Sequence, residues 1–138
     1  MLIYTFYNAD LIDITKGKEE LSTGFVDDCA FVAVSDTLTD THATLKHMME
    51  RVGGSLKWSC NHNLPFELTK LACMDFPWCN NHPTPSPLSL TSQSNIGIMA
   101  TNMILSTQFY KYLGVTFDTK LNWNAYANNV TAIGLHWT

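Results

Sequence analysis

The spacing of apolar residues changes along the chain, and the changes mark its elements. Residues 2–13 place Leu2, Tyr4, Phe6, Tyr7, Leu11 and Ile12 around acids at Asp10 and Asp13. That spacing fits helix and strand about equally, and we read it as a helix. Lys16-Gly17-Lys18 is a polar break. Beyond it, Phe25-Val26 and Phe31-Val32-Ala33-Val34 are β-prone runs on either side of Asp27-Asp28, which are poor strand residues. Two short apolar runs around an acidic turn predict a β-hairpin over about 21–34.

The period then lengthens. Asp36, Thr37, Thr39 and Asp40 are candidate N-caps, and Leu45, Met49, Val52 and Leu56 follow at helical spacing. They predict a helix over about 38–57, which Gly53-Gly54 weakens or ends early and whose buried face Trp58 would extend. Phe66, Leu68, Leu71, Cys73, Met74 and Phe76 predict a strand, although they alternate imperfectly. Residues 77–95 hold Pro77, Pro83, Pro85 and Pro87 among Asn, Ser and Thr, and read as a surface loop within the domain. Residues 96–105 are apolar without a clear period. Phe109 to Phe117 reads as a strand pair hinged near Gly114. A last helix, over about 122–136, would carry Trp123, Tyr126, Val130 and Ile133 on one face. The expected class is α+β: an antiparallel sheet with the Asp-Asp hairpin, packed by the two longer helices. There is no internal repeat.

Composition narrows this picture. The 138 residues are 46% hydrophobic and 14% charged, as in a chain that folds into one domain or part of a larger one. The net charge of −4 argues against unaided binding of nucleic acid, since phosphate neutralisation by basic residues supplies most of that affinity. The four cysteines, Cys29, Cys60, Cys73 and Cys79, come with no secretory signal and no apolar run of membrane-spanning length. They are read as free thiols of an intracellular protein, its compartment open, and the sequon at Asn129-Val130-Thr131 carries no weight.

The strongest candidate chemistry is Asp27-Asp28. Two adjacent carboxylates on a tight turn make a rigid, strongly negative point, which suits Mg²⁺ because that ion takes one or two carboxylates together with substrate phosphates. The dipeptide by itself is an ordinary solvated turn feature. Cys73, Cys79 and His82, with Cys60 and His62 nearby, suggest zinc only faintly, because they lack the C-x₂-C pair of strong zinc motifs. The four tryptophans have too few basic neighbours to read as base-stacking platforms. Met48-Met49 reads as core.

The surroundings of Asp27-Asp28 add a resemblance. Gly24-Phe25-Val26-Asp27-Asp28-Cys29-Ala30-Phe31 resembles the aromatic-x-Asp-Asp hairpin of reverse transcriptases. Phe109-Tyr110-Lys111-Tyr112-Leu113-Gly114-Val115-Thr116-Phe117-Asp118, followed by Leu121-Asn122-Trp123, resembles the Leu-Gly-Val segment of non-LTR retrotransposon reverse transcriptases, with its trailing aspartate and tryptophan. The order and separation of the two motifs match. Phe66-Glu67-Leu68-Thr69-Lys70 resembles the family's lysine-bearing strand, and Phe6-Tyr7-Asn8-Ala9-Asp10-Leu11 the helix leading to the hairpin. The likeness is to the fungal type and spans nearly the whole chain.

The resemblance implies a partial palm domain over 1–138, with the start of the thumb connection. Asp27 would be a metal-binding catalytic aspartate and Asp28 its supporting neighbour, with Mg²⁺ as the cofactor. Lys70 would be the lysine near the active site, and Leu113 and Gly114 would belong to the hairpin that grips the primer. The partners implied are an RNA template and a DNA primer, with no membrane. The family's third carboxylate and its Pro-Gln-Gly segment are expected before residue 1 and are not in the sequence. Asp10 and Asp13 are too near the hairpin to replace that carboxylate. Two metals need it, so the expectation is a truncated or decayed element, or an incomplete gene, inactive alone. The alternative is a non-enzymatic interaction module, whose exposed sheet edges favour self-association.

Overall fold

The computed structural model describes residues 8–78, 86–93 and 99–135. The class is α+β, built from small antiparallel sheets and a few helices. Half of the helix predicted over 2–13 lies outside the described residues; within them, Ala9–Ile12 forms a single turn, α1. Strands β1 (Glu20–Phe25) and β2 (Asp28–Ala33) make the first hairpin. Helices α2 (Leu38–Glu50) and α3 (Ser55–Asn61) follow, and then a 3₁₀ turn at Leu68–Lys70. Strands β3 (Leu88–Gln93) and β4 (Met99–Ile104) pair next, then β5 (Phe109–Tyr112) and β6 (Val115–Asp118), before helix α4 (Asn124–Leu135). Among the described residues no helix is long and apolar enough to cross a membrane.

Local chemistry explains where α2 starts and stops. The Thr37 hydroxyl accepts from the Asp40 backbone N–H at 3.1 Å and donates to the Asp40 carboxylate at 2.7 Å, so the first turn is closed from both sides. The helix ends before Gly53-Gly54. Gly53 sits at φ +79°, and a Cβ on Gly54 would lie 2.5 Å from the Met48 carbonyl oxygen. Only glycine lets the chain double back this closely over the helix end. The single helix predicted over 38–57 is therefore two, and Val52, expected on the buried stripe, is 91% exposed in the break.

Past the helix end the Arg51 guanidinium reaches β1. It donates to both oxygens of Glu20 at 2.7 Å and also to the Ile14 carbonyl. Both side chains are buried, and the Lys16 backbone N–H donates to the same carboxylate at 2.8 Å. Arg51 holds the Glu20 carboxyl down to about 2. This fork ties the first hairpin to α2.

The core lies where α2 meets the β3–β4 hairpin. Met49, Cys73, Leu88, Leu90 and Ile104 are buried together, with Leu45, Leu56 and Leu71 packed against them. Leu88 and Leu90 point the same way because strand side chains alternate, while Ser89 and Thr91 are half-exposed. Met48 and Trp58 are buried as well.

Three further expectations need correction. Residues 66–76 are not a strand: apart from the 3₁₀ turn, they make one bridge, Cys73 to Ser106. Apolar density suggested a strand, but no neighbour pairs along the segment. The loop predicted over 77–95 contains β3, whose polar alternate residues hid it. Among the described residues the strands form three separate two-stranded sheets in place of one palm-like sheet. The predicted face of α4 exists but is largely uncovered: Trp123, Val130 and Ile133 are all exposed. Its start is the most firmly anchored part, and farther along the Asn129 side chain donates to the Thr116 hydroxyl at 3.4 Å. Trp123 meets Phe117 with ring centroids 5.4 Å apart. The Asp118 carboxylate accepts from the backbone N–H groups of Lys120, Asn122 and Trp123 at 2.9–3.1 Å.

Candidate functional site

Asp27 and Asp28 lie where β1 turns into β2. Phe25 pairs with Asp28, leaving Val26 and Asp27 as a two-residue turn. Val26 has φ +58°, a left-handed conformation that a β-branched residue rarely adopts. The turn is braced from behind: the Asn8 side chain donates to the Val26 carbonyl at 2.6 Å, and the Ser22 hydroxyl donates to the Ile12 carbonyl. A Cβ on Gly24 would come within 2.9 Å of the Ile12 side chain, so a glycine there lets α1 press against β1. Both carboxylates face solvent. The neighbouring Cys29 thiol is pushed up by burial, then by the charges of Asp28 and Asp27.

Leu113 and Gly114 form the turn of the β5–β6 hairpin. Tyr112 pairs with Val115, and both turn residues have positive φ, +49° and +84°. That is the primed turn whose twist matches a hairpin. The Tyr112 hydroxyl is buried without a hydrogen-bond partner. Burial raises its pKa, and the charges of Cys29 and Asp28 raise it further. The second hairpin thus lies within electrostatic reach of the first. Lys70 is not brought to either. It is exposed in the 3₁₀ turn with its ammonium 2.5 Å from Glu67, the group that raises its pKa.

A second cluster was not foreseen. His42, on α2, meets Cys73 and Asp75 from the extended segment that follows the 3₁₀ turn. Their exposures are 8%, 6% and 9%. Residues two apart on an extended chain share a face, so Cys73 and Asp75 turn inward while Ala72 and Phe76 are exposed. His42 Nε2 lies 2.8 Å from Asp75 Oδ1 and 4.0 Å from Cys73 Sγ, and Nδ1 lies 3.2 Å from the Ser86 carbonyl oxygen. The three ligand atoms fall within 4.8 Å of one another, a grouping that could hold a metal ion.

The geometry excludes a nucleophilic relay. In such a relay the imidazole faces nucleophile and orienting acid with different nitrogens; here Nε2 faces both. The Cys73 thiol is also pushed up to about 11, by burial first and Asp75 second, which keeps it protonated.

Of the residues considered for zinc, Cys73 alone belongs to this group. Cys79 and His82 lie outside the described residues. His62 stacks on Trp58 at 4.4 Å, and Cys60 lies on α3. One sequence signal pointed to the real partner: His42 stands three residues before Leu45, on the stripe that continues to Met49. No family model matches the chain, and neither a curated protein nor a solved structure matches it.

Proposed function

We propose that this chain is the C-terminal palm portion of a non-LTR-type RNA-directed DNA polymerase, and that these 138 residues do not polymerise by themselves. The observation that carries the reading is the pair of hairpins. One presents Asp27 and Asp28 to solvent, and the other, turning at Leu113-Gly114, sets Tyr112 within the field of Asp28. Exposure suits Mg²⁺, which keeps several waters and shares its remaining positions with phosphate oxygens.

In the complete enzyme Asp27 and Asp28 hold Mg²⁺ beside the primer terminus on an RNA template. The primer 3′-hydroxyl gives its proton to solvent and its oxygen bonds to the α-phosphorus of the incoming nucleotide, as the bond from that phosphorus to pyrophosphate breaks. Leu113 and Gly114 lie along the primer strand. Lys70 is left outside this assignment because Glu67 holds its ammonium in a local, exposed turn. Without a third carboxylate two metal ions are not held in line.

The test is a chimera in which residues 8–135 replace the corresponding stretch of an active non-LTR polymerase. Primer extension on RNA that disappears in Asp27→Asn supports the reading. A folded chimera without extension refutes it, and extension by the isolated chain refutes its inactivity alone.

A second reading, a non-enzymatic interaction module, is favoured by exposed Leu21, Phe25, Val32 and Val34 on the first hairpin. It predicts concentration-dependent self-association in sedimentation. A monomer at high concentration that binds no hydrophobic dye counts against it.

A further inference from the structure

We propose that His42, Cys73 and Asp75 form a zinc-type site that clamps the extended 71–76 segment to α2. It is separate from the Asp27-Asp28 turn and does not depend on the polymerase reading.

The donor set selects the ion. A thiolate, an imidazole nitrogen and one carboxylate oxygen match the ligands zinc takes, whereas Mg²⁺ is an oxygen-ligated ion that does not suit the sulfur. The spacing is close to what zinc needs. Zinc–ligand bonds of about 2.0–2.3 Å give tetrahedral ligand–ligand edges of about 3.3–3.6 Å. The two measured edges, 2.8 Å from His42 to Asp75 and 4.0 Å from His42 to Cys73, bracket that range. Entry of the ion opens the first by about half an ångström and closes the second by a similar amount.

Two features of the cluster favour a bound cation. Asp75 Oδ2 is buried without a hydrogen-bond partner, and a buried carboxylate oxygen left so is costly. Both nitrogens of His42 face acceptors, the Ser86 carbonyl and the Asp75 carboxylate. A neutral ring has one N–H and satisfies only one of them. A metal ion on Nε2 resolves this in place of a second ring proton. Nδ1–H donates to the Ser86 carbonyl, the hydrogen bond that commonly orients a metal-bound histidine, and Nε2 gives its lone pair to zinc. The Cys73 thiol releases its proton to solvent as the Zn–S bond forms. Asp75 supplies Oδ1, and a water in the fourth position donates to Oδ2.

Helix and segment are then joined through bonds that the unfolded chain does not make. His42 is fixed on the second turn of α2, and Cys73 is held by its bridge to Ser106, beside which the Thr107 N–H donates to the Cys73 carbonyl at 2.9 Å. The donors are therefore arranged before the ion arrives.

The test is titration of the purified, reduced, full chain with cobalt(II), followed by zinc competition. One equivalent is expected to raise a sulfur-to-cobalt charge-transfer band that zinc abolishes. Cys73→Ser removes the band, while Cys29→Ser and Cys60→Ser retain it. Asp75→Asn weakens cobalt binding at least tenfold. Should a variant fail to fold by circular dichroism, the unaltered chain still decides: zinc is expected to protect Cys73 selectively from alkylation, mapped by mass spectrometry. A folded chain with neither band nor selective protection overturns the site. So does a band that survives Cys73→Ser or is lost with Cys60→Ser.

Discussion

The turn of the β1–β2 hairpin and the cluster beneath α2 both rely on aspartate, in opposite settings. At the turn, Asp27 and Asp28 are exposed, backed by a strained Val26 and a short helical turn. In the cluster, Asp75 is buried against a histidine and a thiol. An exposed carboxylate pair keeps its water and can exchange it for a hydrated ion and a phosphate. A buried carboxylate has already given up water and must be compensated from within the protein. Aspartate alone therefore says little about a site. Burial and the neighbouring donors decide whether it serves transient chemistry or lasting structure.

Stability measurements can break that contrast. Asp75→Ala removes one partner of a buried pair and is expected to cost roughly 3–5 kcal/mol in denaturant unfolding. Asp27→Ala is expected to stay within about 0.5 kcal/mol. Equal losses would mean that the two aspartates are not in different settings. Zinc supplied at 100 times its dissociation constant should stabilise the chain by about 2.7 kcal/mol, and should leave Asp75→Ala unchanged.

Acid titration separates the clamped frame from the turn. The Glu20 carboxyl is held at about 2 in the fold, mainly by Arg51, against 4.5 for the ordinary group. Its depressed value means that the stabilisation is present above 4.5 and is lost as pH falls towards 2. A contribution on the order of 1–3 kcal/mol is expected, visible as a fall in denaturation midpoint over that window and reduced in Glu20→Gln. A smaller effect belongs to the backbone of the turn. Val26→Gly relieves the positive φ at the cost of a more flexible unfolded chain, for a net gain of about 0.5–1 kcal/mol. A loss would show that the valine side chain contributes packing that outweighs its strain.

These sites differ also in how far the sequence revealed them. The β1–β2 and β5–β6 hairpins were legible because each has short apolar runs around a turn of recognisable type. The β3–β4 pair was not, since Ser89 and Thr91 alternate with Leu88 and Leu90 just after Pro87, and Thr101-Asn102 interrupts the apolar run of β4. The 66–76 segment misled in the other direction: Leu71 and Cys73 pack into the core, and burial of side chains does not require strand pairing. The cluster was half visible. Cys73 and Asp75 are two residues apart, but His42 is 31 residues before Cys73 and joins it only through the packing of α2. The break at Gly53-Gly54 was anticipated as a weakness, whereas the near-contact over the Met48 carbonyl that requires it is a tertiary fact.

Tyr112 has a use beyond packing. A phenol changes its ultraviolet absorption when it ionises, and the pKa of this one is raised by burial first, then by the charges of Cys29 and Asp28. With the other four tyrosines replaced by phenylalanine, its alkaline titration would respond to the setting of the second turn against the first. Movement of the second hairpin away from the first, or occupation of the Asp27-Asp28 turn by a cation, would draw that midpoint downward.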